Sequence, residues 1–181
     1  MSTKPLQTIL LVEDDENDVF FFQRAMNKAG MTHPLQVVRD GQEAISYLQG
    51  GGKFSHRAQV PPPGLILLDL KLPFVMGLDV LKWIRQQSGL APVVIILSSS
   101  QQEADIAEAY RLGANAYLVK PAETSDLTEM VRAISDFWLR QNTPPPSPRM
   151  DRQPEIAKEL NSNGARHQYP AATRSFIQVS I

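Results

Sequence analysis

Five short apolar runs divide the first 140 residues: Ile9-Leu10-Leu11-Val12, Leu35-Gln36-Val37-Val38, Leu65-Ile66-Leu67-Leu68, Val93-Val94-Ile95-Ile96-Leu97 and Ala116-Tyr117-Leu118-Val119. Their length and β-branched content predict strands. Most show no alternation of apolar and polar residues, as expected of strands covered on both faces. Between them, apolar residues recur at helical spacing. The first such stretch spans about 16–30, with Val19, Phe20, Phe22, Ala25, Met26 and Ala29 near helical spacing and Gly30 at its end. Asp40 is placed to cap a helix over 41–48, which Gly50-Gly51-Gly52 stops. Further helices are predicted over 77–87, over 102–112 with Gly113 closing it, and over 124–140 with Thr124 or Ser125 as cap. Residues 50–63, with three glycines and Pro61-Pro62-Pro63, read as a long loop. Strict alternation of strand and helix argues for an α/β domain: a doubly wound parallel sheet with helices on both faces and right-handed crossovers.

After Arg140 the pattern stops. Residues 142–154 hold five prolines, three of them consecutive at Pro144-Pro145-Pro146. Beyond a short helical possibility at 155–161 the sequence is polar and unpatterned. The expected division is therefore a domain over 1–140 and a Pro-rich, disordered extension over 141–181. Net charge is −1, but unevenly spread: residues 1–140 carry 13 basic and 16 acidic groups, residues 141–181 carry 5 and 3. Nothing in this balance calls for nucleic acid or a membrane surface. There is no cysteine, which excludes disulfides, thiolate zinc sites and cysteine nucleophiles. No leader pattern or spanning apolar run is seen, so the expected setting is cytoplasmic.

The chemistry gathers where the strands end. Open α/β sheets bind ligands outside the carboxyl ends of their strands. If these strands are parallel neighbours, one edge collects Glu13-Asp14-Asp15, the lone Asp69, the Ser98 hydroxyl and the Lys120 ammonium. Converging carboxylates repel unless a cation joins them. Oxygen-only ligands suit Mg²⁺ better than zinc or copper. Pro121 constrains the turn after the last strand and aims Lys120 back over the edge, where its point charge suits a phosphoryl oxygen. Each feature has an ordinary explanation: helix-dipole acids for 13–15, a surface lysine, and capping by Ser99 or Ser100. Their combination favours the site.

These blocks resemble a response-regulator receiver domain: Ile9-Leu-Leu-Val-Glu-Asp-Asp, Leu65-Ile-Leu-Leu-Asp-Leu-Lys-Leu-Pro73 with Gly77, Ser98, and Gly113-Ala-Asn-Ala-Tyr-Leu-Val-Lys-Pro121. The resemblance covers about residues 6–140. It implies a flavodoxin-like (βα)5 fold with strand order 2-1-3-4-5, an aspartyl-phosphate site and Mg²⁺. Carried over, Asp69 is the phosphoacceptor. Glu13 and Asp14 are the acidic pair, with Asp14 the direct metal ligand and Asp15 outside it. Lys71 supplies a backbone carbonyl to the metal. Ser98 and Tyr117 are the switch pair, and Lys120 binds phosphate. The long 50–63 loop and the Leu-Asp-Leu-Lys-Leu-Pro wording are closer to phytochrome-associated regulators than to the chemotaxis type.

The function so implied is signalling rather than turnover. A histidine kinase, of phytochrome type on the narrower match, or a phosphotransfer protein phosphorylates Asp69. The output is then a change in protein–protein contact. The extension carries no helix-turn-helix pattern. A phosphatase of haloacid-dehalogenase type is the alternative, but it needs a second Asp two residues after the nucleophile, where Lys71 stands. A nucleotide-binding flavodoxin-like module needs a glycine- or hydroxyl-rich loop after the first strand, where three acids would repel phosphate.

Phe20, Phe21 and Phe22 cannot share one face, because successive helical residues lie about 100° apart, so at least one is expected at the surface or an interface. Trp83 and Trp138 are expected to pack. His33, His56 and His167 receive no role. Phe74-Val75-Met76 is more apolar than is usual for the family at this loop, and offers a patch for a kinase or a second copy as dimer partner.

Overall fold

The computed structural model describes residues 6–56, 62–87 and 92–143. The expected extension beyond 143, with His167 in it, and residues 57–61 of the long loop lie outside them. Five strands, β1 (Ile9–Val12), β2 (Leu35–Val38), β3 (Leu65–Leu68), β4 (Val93–Ser98) and β5 (Ala116–Val119), alternate with five helices: α1 (Glu16–Ala29), α2 (Gly41–Gln49), α3 (Gly77–Gln86), α4 (Glu103–Arg111) and α5 (Thr124–Ile134). All pairings are parallel, in the order β2-β1-β3-β4-β5. The implied order is thus the observed one, and the doubly wound arrangement puts a core on each face.

One core packs β1, β3 and β4 residues such as Leu10, Ile66 and Ile96 against Tyr47, Leu81, Ile84 and Ala109 of α2, α3 and α4. The other packs Ile9, Leu67 and Ile95 against Phe22 and Met26 of α1 and Val131 and Ile134 of α5. Strand neighbours in sequence therefore point to opposite cores, both dry, which explains why the runs read as continuously apolar. Trp83 and Trp138 are partly buried against these two cores, as expected. Phe22 is buried while Phe20 and Phe21 are exposed. Among the described residues, no helix is long and apolar enough to cross a membrane.

Helix ends follow local chemistry, with three departures. Asp40 caps α2 through a hydrogen bond from Glu43 N at 2.6 Å, and the Glu43 carboxylate accepts from Arg39 N at 2.7 Å, a reciprocal capping pair. Gly30 and Gly50 close α1 and α2 in the left-handed conformation. The first departure is at α5: Glu123 holds the cap position without a side-chain bond, and neither Thr124 nor Ser125 caps it. The Ser125 hydroxyl turns to Asp126 instead. The second is that α5 gives way to π-helical turns over Ser135–Gln141, which keeps Leu139 buried but breaks the regular α period. The third is at α4, where Gln102 holds the cap position and Ser100 braces from two residues upstream, donating to Asp105.

Candidate functional site

The parallel register brings the ends of β1, β3, β4 and β5 to one edge, and with them Glu13, Asp69, Ser98 and Lys120. Asp69 N donates to Val12 O at 3.1 Å, continuing the ladder one step beyond the strands. The chain then turns abruptly at Leu70, whose N–H donates to Asp69 Oδ1 at 2.5 Å. The α3 helix starts hard against this turn. A Cβ on Gly77 would lie 2.0 Å from the Asp69 carbonyl oxygen, so only glycine lets α3 approach so closely.

Lys120 is the hub. Its Nζ donates to Glu13 Oε2 at 2.6 Å, Asp18 Oδ2 at 2.7 Å and Asp69 Oδ2 at 2.8 Å. Its N–H also donates to Ser98 O at 2.9 Å, which ties the β5 end to the β4 end. Burial opposes the charge on Lys120, but hydrogen bonds to Asp18, Asp69 and Glu13 more than offset it and hold its pKa above the usual lysine range. Glu13 is nearly fully buried, and loss of hydration pushes its carboxyl up to about 7, only partly offset by the Lys120 hydrogen bond. A single ammonium thus serves three carboxylates. We regard Lys120 as firmly charged and Glu13 as the acid of the group that ionises with difficulty.

The carboxylates of Glu13, Asp14 and Asp69 each offer an oxygen within 4.8 Å of the others; Asp14 is exposed while the other two are buried. All-oxygen donors, one of them open to water, fit a hard divalent cation. Asp15 takes no part: it caps α1, accepting from Asn17 N at 2.7 Å and Asp18 N at 3.4 Å. Lys71 is exposed and its N–H reaches Asp69 Oδ1 at 3.4 Å. Asp18 is a site residue that the sequence pattern does not single out. Nothing in its sequence position marks it, because an acid on the first turn of a helix is ordinarily explained by the helix dipole.

Ser98 is fully buried as the last residue of β4. Tyr117 is half-buried on β5; its hydroxyl donates to Ser100 O at 2.9 Å, and burial pushes its pKa up. His33 and His56 lie away from this edge, on the α1–β2 connection and the segment after α2. Beside Lys120, a cleft of about 320 Å³ is lined by Phe21, Phe22, Leu97, Pro121 and Leu127. An apolar wall thus adjoins the charged edge.

Residues 9–132 match the response regulator receiver domain family. The response regulator Rcp1 of Synechocystis sp. is 38% identical over 144 residues, covering 79% of this chain and 96% of that protein. The phosphorylated cyanobacterial phytochrome response regulator RcpA is similar in structure, with a TM-score of 0.72 and 38% identity, covering 78% of this chain and all (100%) of that one. The Mn²⁺-bound form of Rcp1 gives a TM-score of 0.70 at 38% identity, covering 77% of this chain and 99% of that one.

Proposed function

This chain belongs to the response-regulator receiver family of two-component signalling, and from that membership we propose that Asp69 is the residue that takes the phosphoryl group. The donor is a histidine kinase, of phytochrome type if the chain shares the input of RcpA. The observation that carries the reading is the single ammonium, Lys120 Nζ, held 2.8 Å from Asp69 Oδ2. In the transfer, an Asp69 carboxylate oxygen attacks phosphorus, the N–P bond of the phosphohistidine breaks, and the imidazole nitrogen takes up a proton. Asp69 is oriented by the Leu70 N–H and by the close seat of α3 on Gly77. Lys120 neutralises one phosphoryl oxygen, a contribution of positioning and electrostatics rather than proton transfer.

The acidic set fits Mg²⁺, with Asp14 and Asp69 as direct ligands, Glu13 beside them and the Lys71 carbonyl completing the protein's share. Bound Mg²⁺ supplies neutralisation of charge on the phosphoryl oxygens. Ser98, at the β4 end beside Asp69, is the hydroxyl available to the phosphoryl group, and Tyr117 is the ring that responds. Its hydroxyl would leave Ser100 O as the α4–β5 face shifts between two populations. Kinases of this type draw phosphate from ATP, so the reading puts the protein in the cytoplasm. The phosphatase alternative lacks support, because exposed Lys71 occupies the position where its second carboxylate is needed.

The test is chemical. Phosphorylated protein, treated with borohydride, converts an aspartyl phosphate to homoserine. Peptide sequencing should find that change at residue 69; homoserine at 14, 15 or 18 would overturn the assignment.

A further inference from the structure

The ammonium of Lys120 has three N–H donors, and each meets a carboxylate: Glu13, Asp18 and Asp69, at 2.6, 2.7 and 2.8 Å. No donor is left over for a phosphoryl oxygen. Two of the three partners have a second task. Glu13 and Asp69 belong, with Asp14, to the carboxylate set that fits a divalent cation. Asp18 is not one of that set, and its side chain is 42% exposed where those of Glu13 and Asp69 are 3% and 8%. It is the partner that Lys120 can keep when the other two turn to a cation.

The ordinary uses of an acid at this position do not account for Asp18. It is the third residue of α1, after Glu16 and Asn17, with Asp15 as the cap. An acid there commonly reaches back to the N–H of the cap residue. That N–H is already taken, because Asp15 N donates to Glu13 Oε1 at 3.3 Å. Asp15 in turn accepts from Asn17 N and Asp18 N, so the first turn of α1 is capped without the Asp18 carboxylate. The helix dipole favours an acid here whichever way its side chain turns; this one turns to Lys120.

The backbone of Lys120 is equally fixed. Its N–H donates to Ser98 O, and Pro121 follows it. What remains free is the flexible side-chain stem. Beside it lies the cleft of about 320 Å³, whose wall includes Lys120 and Asp18 together with Phe21 and Leu127. An ammonium released by Glu13 and Asp69 has that space to swing into, and the bond to Asp18 opposes the movement.

We propose that Asp18 is a positioning residue for phosphoryl transfer: it holds the Lys120 ammonium at the sheet edge while Glu13 and Asp69 face a divalent cation. The proposal rests on the reading of Asp69 as the acceptor. Without the Asp18 charge the ammonium has two other courses. It falls back on Glu13 and Asp69, where it opposes the cation at the same oxygens, or it swings into the cleft, away from the phosphoryl group. The first course weakens Mg²⁺ binding and the second slows transfer. Both act through Lys120, so both effects vanish when Lys120 is absent.

The test is a double-mutant cycle on the full chain, with Mg²⁺ binding read by calorimetry at about 0.15 M salt, where distant charges are screened. Asp18→Asn preserves size at a half-exposed position, so the variant folds. It should weaken Mg²⁺ binding about fivefold, the upper range for a partly exposed ion pair, and Asp18→Glu should recover most of the loss. In the Lys120→Met background, Asp18→Asn should change Mg²⁺ binding by less than about twofold, the margin of additivity. Phosphoramidate labelling at saturating Mg²⁺, followed by intact mass, should slow about fivefold in Asp18→Asn and show no such effect in the Lys120→Met background. Unchanged Mg²⁺ binding in Asp18→Asn would overturn the proposal. So would equal losses with and without Lys120, which would make Asp18 act on the carboxylate cluster directly. Failure of the acceptor reading shows separately, as an adduct on a residue other than 69 in every variant, and the Mg²⁺ cycle then still decides whether Asp18 acts through Lys120.

Discussion

At Lys120, one charge is shared by three carboxylates, and most of the site's behaviour without metal follows from that imbalance. Replacing it by methionine leaves Glu13, Asp18 and Asp69 facing one another without their cation. Lys120→Met is expected to unfold at lower urea concentration in EDTA and to gain more stability from added Mg²⁺ than the wild type does, while phosphorylation slows. Equal Mg²⁺ stabilisation of both proteins would show that the ammonium does not compete for the cluster. Glu13 has a signed pH consequence. Its folded pKa, about 7, stands above the ordinary 4.5, so the folded state holds the extra proton between those values. Its ionisation therefore lowers stability as pH rises from about 4.5 to about 7, and the cost is complete above 7. Glu13→Gln keeps an acceptor for Lys120 but cannot ionise. In urea titrations with EDTA it should exceed the wild type at pH 8 and lose that advantage at pH 5. Gly77 makes a steric claim: Gly77→Ala should cost about 1–3 kcal/mol, the usual range for overpacking, and slow phosphorylation by displacing Asp69.

Among the elements, the strands and most helix bounds were legible because both faces of the sheet are dry and each run is apolar throughout. Asp40, Gly30 and Gly50 announced their caps by residue type alone. The ends that sequence misjudged are those where tertiary contacts choose. Thr124 and Ser125 are good cap residues, yet α5 begins at Thr124 and the cap position falls on Glu123, which makes no side-chain cap bond. The π-helical stretch 135–141 has no sequence signature; it is the register that keeps Leu139 in the α1/α5 core. Asp18 was illegible for a related reason, since only the fold turns a first-turn acid toward a lysine 102 positions away. Exposure also differs between helices. In α4 only Ala109 is buried, and every residue of its neighbour β5 is partly exposed, whereas α1 buries Val19, Phe22, Ala25 and Met26. Backbone amides of α4 should therefore exchange with solvent faster than those of α1. Slower exchange in α4 would argue against this face as the movable one.

For the whole molecule, the two cores of the described residues span Ile9 to Leu139. Removing 144–181 should leave the unfolding midpoint and the rate of phosphorylation nearly unchanged; a cooperative loss of stability would give the extension a structural role. On the proposed function, the edge built from β1, β3, β4 and β5 holds a phosphoryl group on Asp69. Intact-mass spectrometry tests it most directly, on wild type and Asp69→Asn incubated with phosphoramidate, with Mg²⁺ or with EDTA. A single phosphoryl adduct is expected on the wild type with Mg²⁺, little with EDTA, and none on Asp69→Asn. An undiminished adduct on Asp69→Asn would contradict it.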